Sequence, residues 1–489
     1  MSSAVIFSCI ILYSVVLFAI TFFTSRKADN ASYFIGNKSS PWYVVAYGMI
    51  GASLSGVTFM SVPGAVYTTQ FSYLQVVLGY LVGYAIIALV LMPVYYRLNL
   101  TSIYTYLDHR FGSVSYRTGS LFFILSRTIG AAFRMYIVVN VLQTFVFEGW
   151  HVPFAVTVLT FIVLILLYTF KGGVKTIIWT DTLQTTFMLV AMLFTIVFIA
   201  QQLNLDFLSL IEKIHGADYS KIFVSDVKSP NFFIKNFLGG AAISVAMTGL
   251  DQEMMQKNLS CRNIREAQKN MFTFSMILVL VNTLFLILGA ILIFYASEKG
   301  IEINPLHTDD LFPTVALHFL TPIAGLIFIL GLISAAYPSA DGALTALTTA
   351  FCFDFLGIHK NTRLTPERRL NIRYAVHIAF AIVLLITIVG FRLINNDAVI
   401  RNLFRVASYT YGPLLGLYSF GFFTTRKLME PFVWMVCILS PVACYFLSEY
   451  SPTIFNGYRF GFELLIVNGL FTFLGLFLIS KKNTVIADV

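Results

Sequence analysis

Of the 489 residues, 58% are apolar and 11% are charged, whereas a water-soluble domain is about half apolar and about a quarter charged. Water is therefore not the main solvent of this chain, and its mean hydropathy of +0.82 agrees. The formal net charge of +9 comes from basic residues gathered in short connecting segments; it is a topology signal and does not describe a nucleic-acid binder.

A helix needs roughly 20 apolar residues to cross a bilayer. Runs of that kind begin near Val5, Trp42, Tyr73, Gly119, Pro153, Lys175, Phe232, Phe272, Pro322, Tyr374, Val399, Pro431 and Phe462. Barrel-type alternation is absent, so the sequence predicts an all-α membrane protein of about thirteen transmembrane helices. The first run has no basic region before it and no small-x-small cleavage site after it, and Arg26 and Lys27 follow. It reads as a retained helix with its N-terminus outside.

With that orientation the inner segments hold Arg26, Lys27, Lys38, Arg97, Arg110, Arg117, Lys171, Lys175, Lys257, Arg262, Arg265 and Lys269. The five basic residues from Lys360 to Arg373 join them, as do Arg426, Lys427, Lys481 and Lys482. Lys213, Lys221, Lys228, Lys299, Arg392 and Arg459 fall outside, an asymmetry better than three to one. The expected location is the bacterial inner membrane, with the C-terminus cytoplasmic and the lipid bilayer as solvent. Neither nucleic acid nor an obligate protein partner is expected. The five cysteines show no CxxC spacing and predict neither a disulfide frame nor a zinc site.

Two spans carry helix-breaking sequence. The second contains Gly51-Ala52-Ser53-Leu54-Ser55-Gly56 and then Pro63-Gly64; the seventh contains Gly239-Gly240 and Thr248-Gly249. A glycine inside a helix costs about 1 kcal/mol relative to alanine, and unwound backbone survives in a membrane only where it faces protein or a wet cavity. Two readings fit: inverted five-helix repeats with a binding site near the midplane, or close packing through small residues. Spacing alone does not choose between them.

The segment Lys171-Gly172-Gly173-Val174-Lys175-Thr176-Ile177-Ile178-Trp179-Thr180-Asp181-Thr182-Leu183-Gln184 resembles the signature of the sodium:solute symporter family. Leu54 to Pro63 is similar to the family's first core helix, and Thr101 to Phe111 to the inner loop that follows. Arg265-Glu266-Ala267-Gln268-Lys269 and Tyr411-Gly412-Pro413-Leu414-Leu415-Gly416 match later core segments. The motifs run in order from about 30 to 425 and are most similar to those of bacterial sialic-acid and sugar-type members. The resemblance implies a leucine-transporter-like fold with a 5+5 inverted-repeat core, 1-489 forming a single transmembrane transporter domain. Its parts are a leading helix about 4-24, core repeats about 41-203 and 231-424, and trailing helices about 429-480. It further implies sodium-coupled uptake of a small polar organic solute (a sugar, sugar acid or other organic anion) by alternating access, and no enzymatic activity. A proton-coupled or cation-independent permease of the same fold stays open, as does a membrane solute sensor.

Carried over residue by residue, the family's general sodium site falls on the carbonyls of Gly51, Leu54 and Ala335 and the hydroxyl of Ser339. The neighbouring hydroxyl position is Pro338, which has none. Asp181 and Asp341 form a second cation or proton-coupling position, since an acid inside a span usually marks an ion path; Asp181 capping the Gly172-Gly173 turn is the bland alternative. Ser53, Ser55, Thr58, Tyr73 and Ser244 are candidate substrate contacts. The sialic-acid carriers hold the sugar carboxylate with an arginine on the third core helix and use a glutamine on the second, but the matching positions here are Gly130 and Val77. Arg127 and Arg134 lie seven residues apart on one helix face, each suited to clamp an anion or to form a salt bridge or snorkel.

Overall fold

The computed structural model describes residues 3–25, 33–34, 36–394 and 399–482; Arg26 and Lys27 lie outside them. Apart from one two-stranded ribbon and an isolated bridge, the regular structure among the described residues is helical. In chain order the long helices are α1 (Ser3–Ser25), α2 (Trp42–Ser53), α3 (Gly56–Thr69), α4 (residues 73–97), α5 (Ser113–Trp150), α6 (Phe154–Phe170) and α7 (Gly173–Gln202). They continue with α8 (Phe233–Gly249), α9 (Gln252–Leu259), α10 (Ile264–Lys299), α11 (Pro322–Phe355), α12 (Pro366–Ile394), α13 (Val399–Phe423), α14 (Glu430–Ile454) and α15 (Leu464–Leu478).

Every predicted apolar run contains a helix, but the count of thirteen spans is not reached by length and apolarity. Eight helices among the described residues pass on both, or nine if the bent α8–α9 pair is one span. Part of the shortfall comes from where the chain bends, and part from α6 and α15, which are apolar but short. Residues 56–97 form one nearly unbroken helical stretch of 42 residues, about 63 Å at 1.5 Å per residue, twice a bilayer core. It turns at Gln70, whose φ is +55°, so α3 and α4 share it. Likewise α6 and α7 join at Gly173, with φ +53°. A Cβ there would stand 2.5 Å from the Cα of Tyr33, so glycine is required for the turn and for the close approach.

The connections sort into two ends. Phe7 of α1 packs edge-on against Phe147 and Trp150 at the end of α5, and at the same end the Phe71 amide donates to the Lys221 carbonyl. At the other end Ser40 bridges Cys261 and Lys360 pairs with Asp108 at 3.8 Å. The Arg110 guanidinium there donates to the carbonyls of Gly421, Thr424 and Arg426, and strand β1 (Lys427–Leu428) pairs antiparallel with β2 (Ser480–Lys481). These are the segments the charge count assigns to one side. Lys257 is the exception: it is 2% exposed inside α9, a buried charge and not a loop cation. Helix α11 is the central element, with 78% of its membrane-length stretch buried against 22% for α14. It packs along α6 and α7, while α4 packs along α8.

Candidate functional site

The first glycine-rich segment breaks its span. Leu54 (φ −88°, ψ 85°) and Ser55 (φ −81°, ψ −177°) leave the helical region between α2 and α3. The Leu54 amide still reaches the Ile50 carbonyl at 2.7 Å and the Phe59 amide the Ser55 carbonyl at 3.1 Å. Among the described residues no hydrogen bond reaches the carbonyls of Gly51, Ala52, Ser53 or Leu54. Such groups in a protein interior require a partner. The break is held on its other face by α7, where the Gly51 amide donates to Thr185 Oγ1 at 3.0 Å. Gly48, one turn earlier, lets the Asp181 Cβ approach to 3.2 Å of where its own Cβ would stand.

The second span also breaks, at Leu250–Asp251, and α8 and α9 meet at 66°. The cause is Thr248-Gly249 with the π turn of Val245–Gly249. Gly239-Gly240 does not interrupt the helix; a Cβ on Gly240 would collide with the Val76 backbone and one on Gly239 with Phe462, so that pair is a packing device. Here the freed backbone is satisfied by protein. Tyr95 donates to the Gly249 carbonyl at 3.0 Å and Tyr104 to the Leu250 carbonyl at 2.8 Å. Asp251 caps α9, accepting from the amides of Glu253 (2.9 Å) and Met254 (3.2 Å), and takes the Tyr411 hydroxyl at 2.8 Å.

Every residue of α9 is buried, and its charges are wired together. Glu253 pairs with Arg127 of α5 through one oxygen and with Lys257 through the other, at 3.2 Å. Lys257 also reaches Asp181 Oδ2 at 2.8 Å, and Arg127 approaches Asp251 at 3.9 Å. The sequence offers Lys257 as an inner-loop cation and gives Asp251 and Glu253 no role. The one available signal was the four-residue spacing of Glu253 and Lys257, which pairs side chains on a helix.

Asp181 and Asp341 therefore do not face each other as a bare pair. The cation at Asp181 is Lys257, and Asp181 does not cap the Gly172-Gly173 turn by this oxygen. Asp341 accepts from Tyr168 (2.7 Å) and from the Gly342 amide (2.5 Å). Gly331 of α11 meets Ala191 of α7. With the two helices antiparallel and of equal rise, Ser339 comes near the level of Gln184, and Asp341 near that of Asp181. Ser339 Oγ, Asp181 Oδ1 and both amide atoms of Gln184 are buried with no hydrogen-bond partner. Buried polar atoms seldom stay unpaired, and these oxygens lie on helices that pack against the broken α2–α3 span. The oxygen-rich donor set suits a hard monovalent cation.

Ser53, Ser55, Thr58, Tyr73, Arg127, Arg134 and Ser244 all line one cavity of about 70 Å³, roughly room for several waters. Tyr80, Tyr84, Thr248 and Asn282 complete its polar wall, and Tyr73 and Tyr80 share a 3.2 Å hydroxyl contact. The two arginines differ. Arg127 is committed to Glu253, whereas Arg134 has no ion pair or hydrogen bond among the described residues, and its Nε is buried without a partner. A second, smaller cavity adjoins at Gly130, where an added Cβ would meet nothing within 4 Å.

Two mid-span helix breaks, a polar cavity between them and an orphaned oxygen set behind the first define a secondary transporter of the broken-helix kind. The model of the sodium:solute symporter family matches residues 33–429. The chain belongs to that family and is an integral membrane protein that carries a small organic solute together with sodium. It is 25% identical to the sodium/sialic acid symporter NanT of Aliivibrio fischeri, over 83% of this chain and 80% of that one. It is 24% identical to the sodium/sialic acid symporter SiaT of Proteus mirabilis, over 83% and 82%. The solved structure of a substrate-bound, outward-open Na+-coupled sialic acid symporter superposes with a TM-score of 0.82, covering 98% of this chain and 99% of that one at 19% identity. That likeness establishes the leucine-transporter type of fold.

Proposed function

We propose that this chain imports an organic anion of sugar-acid size with sodium by alternating access, and that Arg134 holds the anion's carboxylate. The observation that carries this reading is the contrast between the arginines: Arg127 is neutralised by Glu253, while Arg134 lines the same cavity with no acid paired to it. An unpaired guanidinium in a partly desolvated cavity is a costly group that a carboxylate would satisfy in bidentate fashion. NanT and SiaT are sialic acid symporters by name, which supports an acidic solute. The arginine of such carriers corresponds to Gly130 here, and Arg134 lies one turn further along α5, so the anion sits differently and sialic acid itself does not follow. Ser53, Ser55, Thr58, Tyr73 and Ser244 supply the remaining polar contacts, and Tyr80 and Tyr84 an aromatic wall.

The sodium ligands in this reading are the carbonyls of Gly51, Leu54 and Ala335 and the hydroxyl of Ser339. Pro338 cannot contribute a hydroxyl, but it withholds the N–H that the Ser334 carbonyl would take, which leaves an oxygen on the same helix face. Asp181 and Asp341 lie at a second, cation-bearing position. The membrane is a bacterial inner membrane, with the N-terminus outside and the C-terminus cytoplasmic. Moving Lys257 out of the inner-loop count keeps the basic asymmetry above three to one.

Proteoliposome uptake of neutral sugars, sugar acids and simple carboxylates, with a sodium or a pH gradient, tests the proposal. Sodium-driven uptake of the acids is expected. Arg134→Gln should raise the half-saturating acid concentration about 30-fold, the equivalent of roughly 2 kcal/mol for a charge-assisted contact. Uptake of neutral sugars with equal efficiency in native and variant chains would sink the reading.

A further inference from the structure

Glycines inside the spans of this protein mostly let a neighbour in. On α5 itself a Cβ at Gly119 would stand 2.5 Å from the Leu107 side chain, and one at Gly331 of α11 would collide with Ala191. Gly130, in the middle of α5, departs from this pattern: among the described residues a Cβ there would meet nothing within 4 Å. Glycine is a poorer helix residue than alanine, so with no neighbour to admit, packing does not account for it. What Gly130 borders is the second cavity, of about 10 Å³, roughly the space that one water or one methyl group occupies. Arg127, Arg134 and Met247 border this recess and the main cavity alike.

The inside of the recess is apolar. Ile129 of α5, Met247 of α8, and Val406 and Ala407 of α13 line it. Its two hydroxyl groups have given their protons elsewhere, Ser126 to the Phe122 carbonyl at 2.6 Å and Tyr411 to Asp251 at 2.8 Å. A buried water makes about three hydrogen bonds, and the four apolar side chains offer it none. The charged groups on the rim are the two arginines, of which Arg127 is already paired with Glu253. We infer that the recess beside Gly130 is a subsite for a methyl-sized apolar branch of the transported acid, carried close to the carboxylate, and that Gly130 determines specificity because its missing Cβ leaves that space to the solute. The inference rests on the proposed carboxylate contact at Arg134, the residue that ties the recess to the rest of the solute. The methyl of an alanine at 130 and the methyl of the solute would contend for one volume. Met247 suits the boundary between the two cavities, since its unbranched thioether side chain adapts to whatever lies beside it.

Thermal unfolding of the purified full-length chain in detergent and sodium, titrated with gluconate and with its 2-C-methyl derivative, gives an apparent Kd for each acid. A ligand that binds only the folded state raises the midpoint by mass action. The native chain should bind the methylated acid about fourfold tighter, the factor to which about 0.8 kcal/mol for one buried methyl group converts. In Gly130→Ala that ratio should fall to one or below. The acid-free midpoint of the variant should not fall, since the new Cβ meets open space. Equal Kd values in the native chain would overturn the inference, as would a preference that survives Gly130→Ala. A lower acid-free midpoint in Gly130→Ala would overturn it too, because protein would then already fill the recess. Failure of the carboxylate reading looks different: Arg134→Gln would bind both acids with native Kd while the Gly130 pattern held. A native midpoint that neither acid raises would overturn both.

Discussion

At the break between α8 and α9 the carbonyls of Gly249 and Leu250 take hydroxyls from Tyr95 and Tyr104, and the exposed helix start takes Asp251. At the break between α2 and α3 nothing among the described residues reaches the carbonyls of Gly51 to Leu54. Both spans are interrupted by small residues and both lie against the same cavity, through Ser53, Leu54 and Ser55 on one side and Thr248 and Met254 on the other. The difference separates two uses of one device. A break whose peptide groups are completed by side chains is a fixed elbow that aims a half-helix; a break whose oxygens stay bare is, on the reading proposed above, the receptor for the ion.

The comparison can be broken at several points, beginning with the elbow. Glu253→Gln removes the carboxylate shared by Arg127 and Lys257, and stripping one partner from a buried ion pair costs about 3–5 kcal/mol. Thermal unfolding of the purified variant should fall steeply, and by the same amount with and without sodium. An unchanged midpoint would mean that the α9 charges are not needed to hold the elbow. At the receptor, Ser339→Ala should raise the sodium concentration for half-maximal uptake roughly tenfold, for the loss of about 1.4 kcal/mol of an oxygen contact. Without sodium the same variant should unfold no earlier than native, because Ser339 Oγ has no protein partner to lose among the described residues; a marked drop there would assign the hydroxyl to folding instead. The smallest effect is expected from Tyr104→Phe, which leaves the Leu250 carbonyl short of one donor at about 1 kcal/mol. It should lower stability slightly and move the sodium half-saturation less than about twofold, since that much is under 0.5 kcal/mol.

How much of this was legible in the sequence follows from the same distinction. Gly51 to Gly56 announces the receptor because loss of helix propensity is a local property, and the polar residues beside it, Ser53, Ser55 and Thr58, do line the cavity. Arg127 and Arg134 were paired correctly by helix periodicity, but which of them is neutralised depends on Glu253, more than a hundred residues away. The elbow was illegible for a related reason. The charge count places Lys257 in an inner loop, and Asp251 and Glu253 just before it are acidic. A half-helix surrounded by protein is free of the demand for apolar residues, so α9 is buried although its sequence is not apolar. Gly239-Gly240 realises the other of the two sequence readings, close packing, because it admits the backbone of Val76.

Gly48 sets how closely two helices of the proposed ion position can pack. Its absent methyl lets α2 and α7 approach until the Asp181 Cβ and the Ile178 carbonyl each lie 3.2 Å from where that methyl would be, so an alanine would wedge the helices apart by a fraction of an ångström. Alkali-metal ions differ in radius on that same scale. On the sodium position proposed above, the gap between the two helices would govern that discrimination as well as the oxygens themselves, and a residue that never touches the ion would act as the shim that sets the gauge.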